Sequence, residues 1–81
     1  METRKIFGER LRELRDSQSV TQMQLANTLG LTQNSIGMME RGYRGTTIER
    51  LVLLANYFHV STDYLLGISD HPTWQGPEEE P

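Results

Sequence analysis

The sequence predicts an all-α fold: a compact five-helix domain followed by an acidic C-terminal tail. Apolar residues recur at helical spacing, Ser or Thr precedes the apolar runs, and no segment shows the sustained alternation of a strand. A chain of 81 residues can close one hydrophobic core but not two. We therefore expect one domain over residues 1–67. Residues 68–81 are expected to form a flexible tail that can contribute a dimer contact.

The first two helices are indicated by an apolar face and by a cap. The apolar face predicts a first helix from about Thr3 to Ser17. A second helix begins after Thr21, which stands three residues before Gln24 in the spacing of a capping box. The residues expected to point inward are Phe7, Leu11 and Leu14 in the first helix and Leu25, Ala26 and Leu29 in the second, which stops at Gly30.

Caps also indicate the three remaining helices. Thr32 caps the third helix, and Gly42 ends it. Thr46 and Glu49 have the spacing of a second capping box, which begins the fourth helix. Ser61 caps a short fifth helix that closes at Gly67. The inward residues are expected to be Ile36 and Met39 in the third helix, Ile48, Leu51, Leu54, Ala55 and Phe58 in the fourth, and Val60 and Leu65 as a hydrophobic staple around Ser61.

The net charge of −3 is unevenly distributed along the chain. All 8 Lys and Arg residues lie within residues 1–67, together with most of the acids. The tail carries Asp70 and the run Glu78 to Glu80 without any Lys or Arg. The predicted domain is therefore close to neutral, and the overall negative charge argues only weakly against a nucleic-acid partner.

Several classes of protein are disfavoured by what the sequence lacks. It contains no Cys, which excludes disulfides, thiolate zinc sites and cysteine nucleophiles. It has no apolar run of the length that a signal peptide or a membrane span needs, so we expect a cytoplasmic protein without a membrane partner. We find no nucleophile beside a base and no glycine-rich phosphate loop, so we expect no enzyme, no cofactor and no small-molecule ligand.

One pair of residues invites a metal interpretation. His59 and Asp63 have a spacing that would place them on one side of a continuous helix. The predicted cap at Ser61 breaks the helix between them, which favours a solvated histidine. We therefore expect no metal site.

The segment from residue 21 to residue 42 places two short helices on either side of a tight glycine-containing link. Ala26 lets the two backbones approach, Gly30 supplies the turn, and Ile36 fills the angle between them. The start of the third helix then protrudes and carries Gln33 and Asn34, whose amides can pair with adenine in a major groove. The alternative is that both are ordinary solvent-facing amides.

Two stretches, "LRELRDSQSVTQMQLANTLGLTQNSIGMMERG" and "TTIERLVLLANYFHVSTDYLLG", resemble the DNA-binding domain of the lambda repressor and Cro type of helix-turn-helix regulators, also called the XRE family. The similarity runs from Phe7 to Gly67 and includes the "TQ" opening of helix two, the "ERG" ending of helix three and the "LLG" close. It implies a lambda repressor-like fold and a sequence-specific transcriptional regulator that binds double-stranded DNA. We expect a repressor.

The resemblance also implies roles for individual residues. Arg15 would pair with Glu40 to hold the scaffold, although the two could instead form an exposed pair of little energetic value. Met38 can pack on thymine methyl groups, or it can be an incidental surface residue. The implied base contacts are Gln33, Asn34 and Met38, and the implied phosphate contacts are Gln22, Thr32, Arg41, Tyr43 and Arg44.

We expect the working unit to be a homodimer on an operator with inverted symmetry. One recognition helix reads only a few base pairs, and a near-neutral domain offers few cations to hold DNA. The alternative function is an antitoxin-like or protein-interaction module on the same fold, which an aromatic anchor in the polar tail favours. The expected dimer seam comprises Tyr64, Leu66, Ile68 and Trp74, more apolar surface than so small a core can absorb.

Overall fold

The computed structural model describes residues 2–74, which form five helices and no strand. The all-α prediction is confirmed. No helix in residues 2–74 has both the length and the apolar character needed to cross a bilayer. The helices are α1 (Thr3–Ser17), α2 (Gln22–Leu29), α3 (Gln33–Glu40), α4 (Ile48–Phe58) and α5 (Thr62–Leu66).

A three-residue turn joins α2 to α3. The hydroxyl of Thr21 accepts from the backbone N–H of Gln24, and the Gln24 side chain accepts from the Thr21 N–H, which completes the predicted capping box. Gly30 ends α2 with φ of 68°, a left-handed conformation that costs glycine little. The hydroxyl of Thr32 then accepts from the N–H of Ser35 and starts α3. The chain therefore reverses within Gly30–Thr32.

All five helices contribute to one hydrophobic core. Leu11, Leu25, Ile36, Leu54 and Leu65 are each fully buried, one from each helix. Each helix hides its apolar stripe against the stripes of the others, and this burial is the main favourable term for so short a chain. The rest of the buried core consists of Phe7, Ala26, Leu29, Met39, Ala55, Phe58 and Val60.

The start of α4 differs from the prediction at two residues. The helix is capped by Thr47, whose hydroxyl accepts from the N–H of Arg50, so the prediction of a capping box from Thr46 to Glu49 is wrong. Two adjacent Thr residues offered the same chemistry, and the helix begins after the second, Thr47, whose backbone has φ of −78° and ψ of 160°. Ile48, expected to point inward, is 79% exposed because it stands at the first helical position, beyond the edge of the core.

The backbones of α1 and α3 approach closely at Gly8. A Cβ atom at this position would lie less than 3.0 Å from the carbonyl oxygens of both Met39 and Glu40, closer than real Cβ atoms approach. Both neighbours are backbone atoms, so neither can turn aside as a flexible side chain could. Gly8 therefore sets the distance between α1 and the end of α3, and the sequence analysis did not identify it.

The chain after α5 returns to α1 and α4. The Arg10 guanidinium donates to the carbonyl oxygens of Tyr64 and Ser69, and to the Asp70 carboxylate at 2.9 Å. The Trp74 indole stacks on the imidazole of His59, with ring centroids 4.2 Å apart. These contacts involve residues up to 74, and the predicted flexibility of the tail remains a prediction. The acidic run Glu78 to Glu80 lies outside the described residues.

The Gly8 contact predicts a specific stability change. Gly8→Ala should lower the free energy of unfolding by about 1 to 3 kcal/mol, because the added methyl group forces two backbones apart. Urea denaturation measures this change in the free energy of unfolding. Gly37→Ala is the matched control, since a Cβ there would meet nothing nearer than 3.7 Å and should gain up to about 1 kcal/mol of helix propensity. Equal effects of the two substitutions would contradict this account of Gly8.

Candidate nucleic-acid interface

The exposed side of α3 borders a groove of about 550 Å³. Gln33 and Asn34 are both exposed at its rim, in the first turn of the helix. Gly37 follows one turn later and adds no side chain, which leaves the floor of the groove open. The groove is lined by Arg12, Arg15, Gln22, Gln33, Asn34, Gly37, Glu40 and Arg41.

A buried ion pair fixes the end of α3 to α1. Arg15 Nε donates to Glu40 Oε2 at 2.6 Å, and Arg15 Nη2 donates to Glu40 Oε1 at 3.2 Å. The side chains are only 12% and 5% exposed, so this is not the exposed pair of the alternative interpretation. Hydrogen bonding to Glu40 raises the pKa of Arg15 above its ordinary value, and burial opposes that rise. Arg15 Nη1 also donates to the carbonyl oxygen of Val20 at 3.0 Å, which ties in the start of α2.

Gln22 connects this ion pair to the first turn of α3. Its Nε2 donates to Glu40 Oε1 at 3.0 Å, while its Oε1 accepts from Gln33 Nε2 at 3.5 Å. A chain of hydrogen bonds thus runs from Arg15 through Glu40 and Gln22 to Gln33. The contact between Gln22 and Gln33 is long for a hydrogen bond, so the chain fixes Gln22 firmly and orients the exposed Gln33 amide only weakly.

Two further contacts support the flanks of α3. Arg44 Nη1 donates to Ser35 Oγ at 3.3 Å, and this hydroxyl also accepts from the Thr32 hydroxyl at 3.0 Å. The Arg41 guanidinium lies over the Tyr43 ring, 5.5 Å from its centroid. These side chains surround the start and the end of α3 with two arginines, a tyrosine and hydroxyl groups.

The proposed base-reading residues are not equivalent in the structure. Gln33 and Asn34 line the groove, whereas Met38 is half-buried and lies outside the groove lining. The Asn34 amide approaches the Met38 sulfur at 3.7 Å, a weak contact. Among the proposed phosphate contacts, Gln22 and Arg41 line the groove, while Thr32, Tyr43 and Arg44 lie outside its lining.

The comparison with known families agrees with this geometry. The family described as helix-turn-helix matches residues 11–65, which include α2, the turn and α3. The chain belongs to the helix-turn-helix family. The predicted resemblance to the XRE type is confirmed.

Individual relatives of this helix-turn-helix chain are regulators by name. The HTH-type transcriptional regulator ImmR of Bacillus subtilis is 42% identical over 61 residues, covering 75% of this chain and 48% of ImmR. The uncharacterized HTH-type transcriptional regulator YobD of the same organism is 37% identical over 67 residues, covering 83% of this chain and 60% of YobD. The chain therefore spans about half to three-fifths of the length of these two relatives.

Two control proteins match over more of their own length. Control protein C.SmaI of Serratia marcescens is 35% identical over 66 residues, which are 82% of this chain and 79% of C.SmaI. The crystal structure of the restriction-modification controller protein C.AhdI from Aeromonas hydrophila superposes with a TM-score of 0.67 at 34% identity. That superposition covers 76% of this chain and 94% of C.AhdI.

The residues of the expected dimer seam occupy different environments in the helix-turn-helix domain. Ile68 is 67% exposed, and Leu66 is half-buried. The Tyr64 ring lies under the Arg10 guanidinium, 4.2 Å from its centroid, and Trp74 donates a hydrogen bond to the Asn56 side chain at 3.4 Å. Tyr64 and Trp74 are thus engaged within their own chain.

Sequence reasoning missed several residues of this surface. Arg12 lines the groove from α1, but its distance along the chain from α3 gave no indication of this. Leu53 and Tyr57, 42% and 37% exposed, stand four residues apart on the outer side of α4. Their helical spacing is visible in the sequence, next to the longer buried stripe of the same helix.

Removal of one partner of the buried pair should be costly. Glu40→Ala removes the nearer of two carboxylates beside the Arg15 guanidinium, with Asp16 remaining at 3.4 Å, and should lower the free energy of unfolding by about 1 to 3 kcal/mol. Arg12→Ala is the matched control, because Arg12 pairs with Asp16 at 3.8 Å with both side chains at least 60% exposed. Arg12→Ala should change the free energy of unfolding by about 0 to 1 kcal/mol. Thermal melts that rank the two variants equally would refute the structural role of the pair.

Proposed function

We propose that this chain is a sequence-specific double-stranded DNA-binding transcriptional regulator that acts as a repressor by covering an operator. The observation that carries the proposal is the exposed first turn of α3, where Gln33 and Asn34 line a groove beside Gln22 and the Arg15–Glu40 ion pair. A helix of this size fits a major groove, and its N-terminal residues meet base edges there. The regulator names of the relatives and the fold of C.AhdI support it.

The chemistry of the groove favours binding over catalysis. Its lining includes amides and arginines but no Ser, Cys, His or Asp among the described residues. The only carboxylate that lines it, Glu40, is engaged by both Arg15 and Gln22. A group held in this way is poorly placed to exchange protons with a substrate. We therefore propose a non-enzymatic protein that acts on DNA in the cytoplasm.

Roles within the interface follow from position. Gln33 and Asn34 carry amides that can pair in bidentate fashion with adenine. Met38 offers an apolar surface for thymine methyl groups at the edge of the same helix. The cations and polar groups around the groove would hold the phosphate backbone: Gln22, Thr32, Arg41, Tyr43 and Arg44.

We propose that two copies bind a site with inverted symmetry. Leu53 and Tyr57 leave apolar surface on the outer side of α4, and Ile68 adds more after α5. Such exposed apolar groups are typical of an interface, and a second copy with the same surface would form a self-complementary seam. Two α3 helices would then reach successive major grooves, roughly 34 to 36 Å apart or a multiple of that.

The alternative function, an antitoxin-like or protein-interaction module, was favoured by the aromatic anchor in the polar tail. Trp74 was expected to be an anchor available to another protein. It is half-buried and stacks on His59 of its own chain. This packing favours the DNA-binding function over the interaction module.

Substitution of a base-contacting residue and of a phosphate-contacting residue should change DNA affinity in different ways. Gln33→Ala should lower affinity for the preferred sequence by about 1 to 3 kcal/mol and have little effect on random DNA, because it removes a contact to base edges. Arg41→Ala should weaken binding to both duplexes alike and reduce the dependence on salt. Fluorescence anisotropy with the two duplexes at several salt concentrations measures both. Equal losses on both duplexes for Gln33→Ala would exclude a reading role for this residue.

The homodimer proposal predicts the mass in solution. Sedimentation should give twice 9.3 kDa at micromolar concentration, and Leu53→Glu should shift the protein to monomer by placing a charge in the seam. Met23→Glu is the matched control, since Met23 is 52% exposed on α2 and does not belong to the proposed seam. A monomer that also binds DNA one to one would overturn the proposal.

A further inference from the structure

A second concave surface lies beside α3, with a volume of about 290 Å³. Arg4 from α1, Arg44 from the loop and Arg50 from α4 surround it, and we call it the arginine hollow. The loop residues Gly45, Thr46 and Thr47 form its floor with Leu31 and Met39. No acidic side chain belongs to this lining.

The three arginines of the hollow differ from the ion-paired arginines of α1. Within residues 2–74, none of them forms an ion pair, whereas Arg10, Arg12 and Arg15 each pair with a carboxylate. Three neighbouring guanidinium groups repel one another unless an anion joins them. The hollow is thus a concentration of positive charge in a domain that is otherwise near neutral.

The start of α4 adds to the same field. Thr47 accepts from the N–H of Arg50, and the first N–H groups of the helix have no partner within it. The N-terminal end of a helix carries a partial positive charge and is suited to anions such as phosphate. Glu49 stands in this first turn, but it does not line the hollow.

Close packing ties the first turn of α1 to the loop. A Cβ at Gly45 would lie 3.5 Å from Arg4 Nε, so the glycine gives the Arg4 side chain room against the loop. A Cβ at Gly42 would lie 3.1 Å from the Lys5 Cα. The fold therefore brings Arg4 beside the loop that carries Arg44, although the two residues are far apart in sequence.

The hollow adjoins the recognition helix. Arg44 donates to Ser35 Oγ in the first turn of α3, and Met39 from the same helix lines the hollow. A duplex that places its bases against Gln33 must carry its backbone past the flanks of α3. The arginine hollow is on such a flank.

We propose that the arginine hollow seats one phosphate of the DNA backbone, with Arg4 and Arg50 binding it alongside Arg44. This inference rests on the proposed function and adds two residues from helices outside the helix-turn-helix pair. Guanidinium groups match phosphate geometry because they can donate two parallel hydrogen bonds. A phosphate seated here fixes the register of the duplex against α3 without reading any base.

The test replaces single phosphates of a bound duplex by uncharged methylphosphonates and measures affinity for each. The unmodified protein should lose affinity at one flanking phosphate in each half-site. Arg4→Gln and Arg50→Gln should abolish the sensitivity to that phosphate while keeping it at the others. Each should also lower the salt slope by about 0.9, so that the advantage of the unmodified protein over the variant shrinks about threefold between 50 and 200 mM salt.

Lys5→Gln is the matched control, because it removes the same charge one residue from Arg4 and outside the hollow. The Lys5→Gln variant should keep the sensitivity to the flanking phosphate. Arg50→Lys keeps the charge but not the planar fork, and should retain most of the salt slope with weaker binding. Thermal melting of each variant separates loss of folding from loss of contact.

The experiment distinguishes failure of the proposed function from failure of the arginine hollow as a phosphate site. If the unmodified protein binds no duplex above background, the proposed function fails. If it binds DNA but Arg4→Gln, Arg50→Gln and Lys5→Gln behave alike, or if the phosphate sensitivity persists in the first two, the arginine hollow is not a phosphate seat.

Discussion

The buried ion pair between Arg15 and Glu40 is the interaction on which the candidate interface depends. It joins the end of α1 to the end of α3, and its remaining hydrogen bonds reach the Val20 carbonyl oxygen and the Gln22 amide. A pair of charges buried in this way is retained only when its hydrogen bonds are satisfied, and a hydrophobic pair could provide equal stability. What a hydrophobic pair could not provide is a polar acceptor that orients Gln22 beside the first turn of α3.

This constraint matters because α3 has little stability of its own. It has eight residues, too few for an isolated helix in water, and Gly37 lowers its helix propensity further. Its shape therefore comes from Ile36 and Met39 in the core, from the Thr32 cap and from the ion pair at its end. The close approach at Gly8 brings α1 near enough for Arg15 to reach Glu40. Packing and polar contacts thus act together to present one exposed turn.

The positive charge of the domain is concentrated despite a net charge of −3. Arg10 and Arg15 are committed to internal contacts with the chain after α5 and with Glu40. The cations that remain without an ion pair in residues 2–74 gather around α3 and the start of α4. A small set of unpaired cations on one side can attract a polyanion even when the total charge is negative. Arrangement, more than composition, is what suits this domain to nucleic acid.

Much of the fold could be predicted from local signals. The five helices and the caps at Thr21, Thr32 and Ser61 follow from periodicity and side-chain chemistry, which act over three or four residues. The prediction of a cap at Thr46 was wrong because two neighbouring threonines have the same capping chemistry, and the backbone conformation decides which of them caps the helix.

The candidate site was accessible to sequence reasoning only in part. Gln33 and Asn34 sit on the element that the motif defines, so position alone indicates them. Arg4, Arg12 and Arg50 belong to helices that meet α3 only in three dimensions. In the sequence, Gly8 is only an unfavourable residue for a helix interior. Its role depends on the carbonyl oxygens of α3, which lie beside it in the fold. Long-range packing, which leaves no local pattern, accounts for each of these omissions.

The central claim is that the first turn of α3 reads a particular DNA sequence. Selection from a pool of random duplexes by the full chain, followed by sequencing of the bound fraction, tests it most directly. The account predicts enrichment of one motif made of two inverted half-sites, rich in the A·T pairs that amide and methionine side chains recognise, with half-site centres about one helical turn apart or a multiple of it. A bound fraction with the same composition as the starting pool would contradict it.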